Sequence, residues 1–376
     1  RVKISPPPRA FTQATQAGER ALQAAVARAV ENKVPVIYAN LVGGQDDQIF
    51  DGASFAVNPD GGLGCHLPSF SEALTMVTLT GDETGWTVSG TVTKPDEGLG
   101  AIWRTAVLGI RDYVHKNGFE RVLLGLSGGI DSAVVLFIAS KAISIEKITA
   151  IMMPSEFTSD VSLKDAKKLA SNLGVNYKSI SIQKHIKNFE ATFKKDFEGL
   201  EKDITEQNIQ ARIRGMILMA YANKFDGMVL ATGNKSEMAV GYSTIYGDMV
   251  GGFSVLKDVP KTMVYKIANE INYKENIIPQ RIIDRAPTAE LTENQLDEDS
   301  LPAYEILDKI IDLHIEKNFS EKDLIKFGFS TKLVKKVVKL IKVNEFKRRQ
   351  SAPGPKITSK AFSKDRRYPI TNRFQL

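Results

Sequence analysis

The residues best suited to chemistry lie in one octapeptide, Gly125-Leu126-Ser127-Gly128-Gly129-Ile130-Asp131-Ser132. It follows a short apolar run, 121–125, that reads as a strand. It precedes a longer one, 131–142, that reads as a helix. A helix N-terminus carries unpaired N–H donors and a partial positive charge, so it suits a phosphate. The two glycines let the backbone approach closely and form an anion-binding nest. Ser127 and Ser132 add hydroxyl donors. A carboxylate does not hold phosphate directly, because like charges repel, so Asp131 is expected to hold Mg²⁺ against the phosphates. No Gly-Lys-Ser/Thr follows, which excludes a Walker A loop, and Gly-x-Gly-x-x-Gly is absent. The bland alternative is a ligand-free turn, in which two serines and an aspartate have no purpose. A second pair, Cys65-His66, sets a thiol beside a base, but neighbours on a strand face opposite sides.

Elements alternate around the octapeptide. Strands are expected at 121–125, 148–153, 176–182 and 227–231. Helices are expected at 131–142 and 205–224, and one more is opened by a capping box at Ser162–Asp165 and stopped at Gly174. This alternation predicts a doubly wound, parallel α/β sheet with ligands at the C-terminal ends of its strands. Further helices are expected at 301–317, 321–327 and 331–343, before a basic tail at 346–376. Upstream, a helix at 18–32 and strands at 34–40, 54–58 and 73–78 surround a turn at Gly43-Gly44. These are too few elements to close a core of their own. The breaker-rich stretch 93–98 places a domain boundary there, giving domains 1–98 and 99–376.

Of the 376 residues, 43% are hydrophobic and 25% charged, which excludes disordered and collagen-like classes. No apolar run reaches the length of a membrane span. One cysteine makes neither an internal disulfide nor a cysteine zinc site and fits a reducing cytoplasm. Residues 1–98 carry a net charge of −4 and the remainder +10. A basic domain binds nucleic acid or a small polyanion, and charge alone does not choose. The chain starts at Arg1 without a signal peptide, as if in the middle of something longer.

Ser127-Gly128-Gly129-Ile130-Asp131-Ser132 resembles the pyrophosphate loop of the N-type ATP pyrophosphatases. Within that group, residues 100–376 resemble the synthetase domain of the glutamine-dependent NAD⁺ synthetase family. The resemblance is carried by Ala231-Thr232-Gly233-Asn234-Lys235-Ser236-Glu237, Tyr246-Gly247-Asp248, Arg285-Ala286-Pro287-Thr288-Ala289-Glu290-Leu291, Phe346-Lys347-Arg348-Arg349-Gln350 and Pro353-Gly354-Pro355-Lys356. It implies that Gly125, Leu126, Ser127, Gly128, Gly129, Ile130, Asp131 and Ser132 bind the ATP phosphates. Thr232, Lys261 and Thr288 would also contact ATP. Asp131 and Glu237 would hold Mg²⁺, and Asn208, Glu237 and Lys347 would meet deamido-NAD⁺. Asp131 and Lys261 are the implied catalytic pair. The nicotinate carboxylate would attack the α-phosphorus of ATP, pyrophosphate would leave, and ammonia would displace AMP from the adenylate. Asn208 could instead cap a helix, Thr232 and Glu237 could be a turn and a surface charge, and Lys261 and Lys347 could be solvated. Asn234-Lys235 reads as a turn.

Val34–Asp46 and Phe50–Phe55 resemble the C-terminal part of a nitrilase-type glutaminase, an α-β-β-α sandwich with a Glu-Lys-Cys triad. In that family the triad precedes this stretch, and no cysteine precedes it here. The resemblance therefore implies a partial glutaminase domain and ammonia rather than glutamine as this chain's nitrogen source. It also implies a homo-oligomer, a dimer of synthetase domains or larger, with no nucleic-acid or membrane partner. Competing readings are another ATP pyrophosphatase, such as a GMP synthetase or tRNA thiolase, and a nucleic-acid binder using the lysines of 332–347.

Overall fold

The computed structural model describes residues 16–83, 85–293 and 295–371. These form two compact units, one of the described residues up to 112 with 355–359, the other of 113–354 with those from 360 onward.

The first unit opens with helix α1 (Gln16–Asn32). Strands β1 (Val36–Tyr38), β2 (Val42–Gln45), β3 (Gln48–Asp51), β4 (Phe55–Val57), β5 (Leu63–His66), β6 (Thr78–Asp82) and β7 (Gly85–Ser89) follow. β1, β4 and β5 form an antiparallel sheet, while β2–β3 and β6–β7 are hairpins. Ala25 and Ala29, one helical turn apart, lie buried against Phe55 and Val57. Two sequence expectations change. Gly43-Gly44 is not a turn but part of β2, and the reversal falls at Asp46, whose φ is 57°. Gly44 is small for packing: a Cβ there would stand 3.1 Å from Ile49 Cδ1. The strand expected at 73–78 starts only at Thr78, because Leu74 and Met76 are exposed and bury nothing.

Helix α2 (Gly98–Lys116), absent from the sequence reading, carries the chain into the second unit. There β8 (Arg121–Gly125), α3 (Ile130–Ala142), β9 (Ile148–Met152), α4 (Asp160–Leu173) and β10 (Asn176–Ser179) alternate. Next come α5 (Gln183–Phe193), α6 (Ile204–Phe225), β11 (Gly227–Ala231), α7 (Lys235–Val240), β12 (Phe253–Ser254) and α8 (Lys261–Glu275). All strand pairs are parallel, in the order β10-β9-β8-β11-β12. The expected doubly wound sheet is therefore present. The chain runs outward from β8 in one direction and returns beside it as β11, so the switch point lies between their C-terminal ends, Gly125 and Ala231.

Local chemistry explains the element ends. Helix α4 is capped by Ser159, whose hydroxyl accepts the Ser162 N–H at 3.2 Å, so Ser162 and Asp165 lie inside the helix rather than opening it. Gly174 ends α4 at φ 69°, as expected. A capping box of Asp203 and Glu206 starts α6. The remaining helices are α9 (Gln280–Asp284), α10 (Tyr304–Ile311), α11 (Glu321–Phe327), α12 (Thr331–Val343) and α13 (Glu345–Arg348). The helix expected at 301–317 starts after Pro302 and ends in a π turn, Asp312–Glu316. Among the described residues, no helix is long and apolar enough to cross a membrane.

Candidate active site

Gly125 ends β8 at the sheet centre, and Ile130 starts α3. Almost every residue from Ile130 to Ala139 is buried, so α3 is apolar on all sides and held by packing. Gly129 is its N-cap, extended at φ −91°, and no side chain caps the turn. Its amides are thereby left to a ligand. Gly128 sits at φ +81°, where a Cβ would lie 2.7 Å from the Ser162 carbonyl oxygen. It is glycine both for conformation and because the start of α4 passes there. The serine hydroxyls tie the loop to itself. Ser127 Oγ accepts the Gly129 N–H at 3.1 Å and lies 3.1 Å from Ser132 Oγ, which donates to the Gly129 carbonyl at 3.0 Å.

Opposite this turn, β11 runs into α7, whose first turn is fully capped. Asn234 Oδ1 accepts the Glu237 N–H at 3.0 Å, and a Glu237 carboxylate oxygen accepts the Asn234 N–H at 3.3 Å. Asn234 Nδ2 donates to Asp131 Oδ1 at 3.0 Å. Lys261, the first residue of α8, donates from Nζ to Asp131 Oδ2 and lies 3.5 Å from Glu237 Oε1. Its ammonium stands 5.2 Å from the centre of the Tyr304 ring. The Tyr304 hydroxyl donates to buried Asp297 at 2.8 Å. Tyr242 donates to the same carboxylate at 3.3 Å.

Three carboxylates thus surround one ammonium. Burial pushes Glu237 up to about 8, and Asp131 and Asp297 push the same way against the pull of Lys261. Burial alone would lower Lys261, yet Asp131 and Glu237 hold it above the ordinary lysine range, so it stays charged. Burial also raises Asp297, whose tyrosine partners oppose the shift. Such a site favours an added cation. Among the described residues no group of three His, Cys, Asp or Glu forms a metal cage. Two cleft-facing carboxylates that leave the other positions to phosphate oxygens and water are what Mg²⁺ ordinarily takes. Asp131 and Glu237, 17% and 18% exposed at their side chains, fit that donor set.

A cleft of about 280 Å³ collects these groups. It is lined by Gly125–Ser132 other than Gly128, and by Thr232, Glu237, Lys261 and Thr288. The Thr288 hydroxyl donates to the Gln295 carbonyl and accepts the Glu290 N–H at 3.2 Å, tying its own loop. Two expected residues stand apart from the lining. Asn208, inside α6, accepts the Thr244 hydroxyl at 2.9 Å. Lys347 donates to the carbonyls of Gly241 and Ser243, both at 2.7 Å, and burial lowers its pKa. Both support the 241–248 stretch, from which Tyr242, Ser243, Gly247 and Asp248 face the cleft.

Several site residues escaped the sequence reading. Ala211, Arg214, Gly215 and Leu218 line the cleft from one face of α6. Their spacing was the available signal. Arg214 donates from Nε to the Met153 carbonyl at 3.0 Å, and burial lowers it only to about 10, so it stays charged near neutrality. Glu290, at φ 48°, accepts from Ser162 Oγ at 2.7 Å, as Arg285 donates to the same hydroxyl at 2.7 Å. Lys235, 1% exposed, is paired with Asp258 at 2.8 Å and with Glu316, so Asn234-Lys235 is a buried junction rather than a plain turn. In the first unit, Cys65 is buried with Ala56 and Val88. His66 Nδ1 is buried and has no hydrogen-bond partner among the described residues.

The NAD synthase family matches residues 102–351, and the carbon-nitrogen hydrolase family matches residues 10–87. A glutamine-dependent NAD(+) synthetase of Rhodobacter capsulatus is 46% identical over 359 residues, covering 93% of this chain and 65% of that protein. One from Acinetobacter baylyi is 48% identical over 341 residues, covering 90% of this chain and 63% of the relative. The solved structure of glutamine-dependent NAD⁺ synthetase from Acinetobacter baumannii in complex with ADP aligns with a TM-score of 0.70 at 42% identity. That alignment covers 98% of this chain and 66% of the other. The chain therefore spans somewhat under two thirds of the length of these relatives.

Proposed function

The chain belongs to the NAD synthase family, and from that premise we propose that it amidates deamido-NAD⁺ to NAD⁺ at the expense of ATP. The observation that carries this reading is the uncapped α3 N-terminus facing the Asp131–Lys261–Glu237 cluster in one cleft. The Acinetobacter baumannii relative was solved in complex with ADP, which supports an adenine nucleotide as a ligand of this chain. The phosphates lie on the amides at the start of α3, Ile130–Ser132. Mg²⁺, held by Asp131 and Glu237, supplies neutralisation of phosphate charge when bound. Lys261, charged throughout, stabilises charge that develops as the nicotinate carboxylate oxygen bonds to the α-phosphorus and the bond to pyrophosphate breaks. Ammonia then attacks the acyl carbon and AMP departs. Each step is carried by substrate atoms, so no protein nucleophile is required.

Asn208 and Lys347 act through the 241–248 stretch, which forms one wall for deamido-NAD⁺, and Thr232 and Thr288 shape the ATP end. The division into 1–98 and 99–376 assigns the first part to a nitrilase-type glutaminase, in keeping with the carbon-nitrogen hydrolase match. The chain works as a cytoplasmic homo-oligomer. The deciding assay supplies ATP, Mg²⁺ and ammonium and compares two acceptors. NAD⁺ and pyrophosphate should appear together with deamido-NAD⁺. Equal pyrophosphate release with xanthosine monophosphate would sink the reading in favour of another ATP pyrophosphatase.

A further inference from the structure

The first turn of α7 sends its four side chains to four places. Lys235 reaches Asp258 and Glu316. Ser236 donates to Asp308 and accepts the Lys261 N–H at 2.8 Å. Glu237 closes the capping box. Asn234, 0% exposed, divides its amide between capping α7 and holding Asp131. We propose that Asn234 is the positioning residue that fixes the Asp131 carboxylate for a divalent cation. This rests on the reading of Asp131 as a cation ligand given above.

The orientation of the amide is set twice over. Its Oδ1 must face the Glu237 N–H, at 3.0 Å, so its Nδ2 must face Asp131, also at 3.0 Å. Lys261 takes the other Asp131 oxygen. Without the Asn234 donor both oxygens are free to turn onto the ammonium, and the carboxylate closes on Lys261 instead of presenting an oxygen to the cleft. Capping does not by itself require asparagine, since serine and threonine cap as well. Of these, asparagine alone also carries an N–H donor that reaches across to α3. Sharing one side chain between both duties couples the geometry of the α7 turn to that of the α3 turn.

Asn234→Ser keeps the cap and removes the donor, and Asn234→Thr does the same should the serine variant fold poorly. ATP binding is measured by calorimetry with and without Mn²⁺, on the 376-residue chain and without the acceptor substrate. Melting temperature is recorded alongside. The capped variants should melt with wild type and bind metal-free ATP normally, while losing about 10-fold or more of the affinity that Mn²⁺ adds, as loss of a group that orients a metal ligand generally costs. Asn234→Ala should in addition melt lower. Wild-type Mn²⁺ enhancement in both capped variants would overturn the proposal and leave Asn234 a cap only. Asp131→Asn separates the two readings. If it keeps the enhancement, Asp131 is no ligand and both fall. If it loses the enhancement while the capped variants keep it, only the role of Asn234 falls.

Discussion

Two helices start side by side at the switch point of the sheet, and they start in opposite ways. At α3 the N-cap is Gly129, nothing caps the turn, and the helix behind it is apolar on all sides. At α7 the N-cap is Asn234, the capping box is complete, and polar side chains radiate from the turn. The first leaves its backbone donors for a ligand. The second gives its Glu237 N–H to its own cap and its Lys235 N–H to the Val259 carbonyl, and offers side chains instead. A helix N-terminus is therefore not an anion site by position alone. It becomes one where capping has been withheld and the helix is stabilised otherwise, here by packing. The pairing sets uncapped backbone amides on one side of the cleft and carboxylates with an ammonium on the other.

The largest expected effect tests the link between the two turns. Asp131 lies on α3 but is held by Asn234 and Lys261. Asp131→Asn keeps the shape and removes the charge. It should lower kcat/KM for NAD⁺ formation by about 10³-fold, roughly 4 kcal/mol, as removal of a metal-holding carboxylate does. Near-normal turnover at ordinary Mg²⁺ would make Asp131 a structural residue of the helix start.

A smaller effect separates the two glycines of the α3 turn. Gly128→Ala meets both a left-handed φ of 81° and the Ser162 carbonyl at 2.7 Å. It should cost about 2–4 kcal/mol in denaturant unfolding, combining conformational strain with overpacking. Gly129 has φ −91°, and a Cβ there meets only Ser127 Oγ at 3.2 Å. Gly129→Ala should cost less than about 1 kcal/mol. Equal losses would show that the close approach of α4 does not set the loop.

The smallest effect belongs to the α7 turn and is read in pH. Burial raises Glu237 to about 8, so in the nucleotide-free protein the folded state holds a proton that the unfolded state has released above about pH 4.5. Stability contributed through this group therefore declines as pH rises from about 4.5 to 8. Glu237→Gln should flatten that part of the pH profile of unfolding. An unchanged slope would place the excess charge of the cluster elsewhere.

Legibility in the sequence followed the same division. The octapeptide 125–132 was readable because its turn is built from consecutive backbone positions, marked by glycines between an apolar strand and an apolar helix. The expected strand limits at 121–125 and 227–231 match β8 and β11. The turn at 234–237 was not readable as a junction. Its partners Asp131, Asp258, Asp308 and Glu316 lie up to about a hundred residues away, and no local pattern encodes them. Arg214 and Asp297 were missed for the same reason, since a lone charged residue in a helix or loop reads as solvated until burial is known.

Periodicity and turn chemistry alone determined the alternating elements, the parallel doubly wound sheet and the glycine-rich turn between β8 and α3, because these depend on neighbours in the chain. Tertiary structure alone decided which side chains share the cleft. It turned Gly43-Gly44 into strand, moved the α4 cap from Ser162 to Ser159, and gave Asn208 and Lys347 partners in the 241–248 stretch. Each of those outcomes depends on what the fold brings opposite the residue: Ile49 over Gly44, Glu290 and Arg285 at Ser162, and two backbone carbonyls around Lys347. Burial and distance set the chemistry of a polar group, and both are properties of the packed chain rather than of its sequence neighbours.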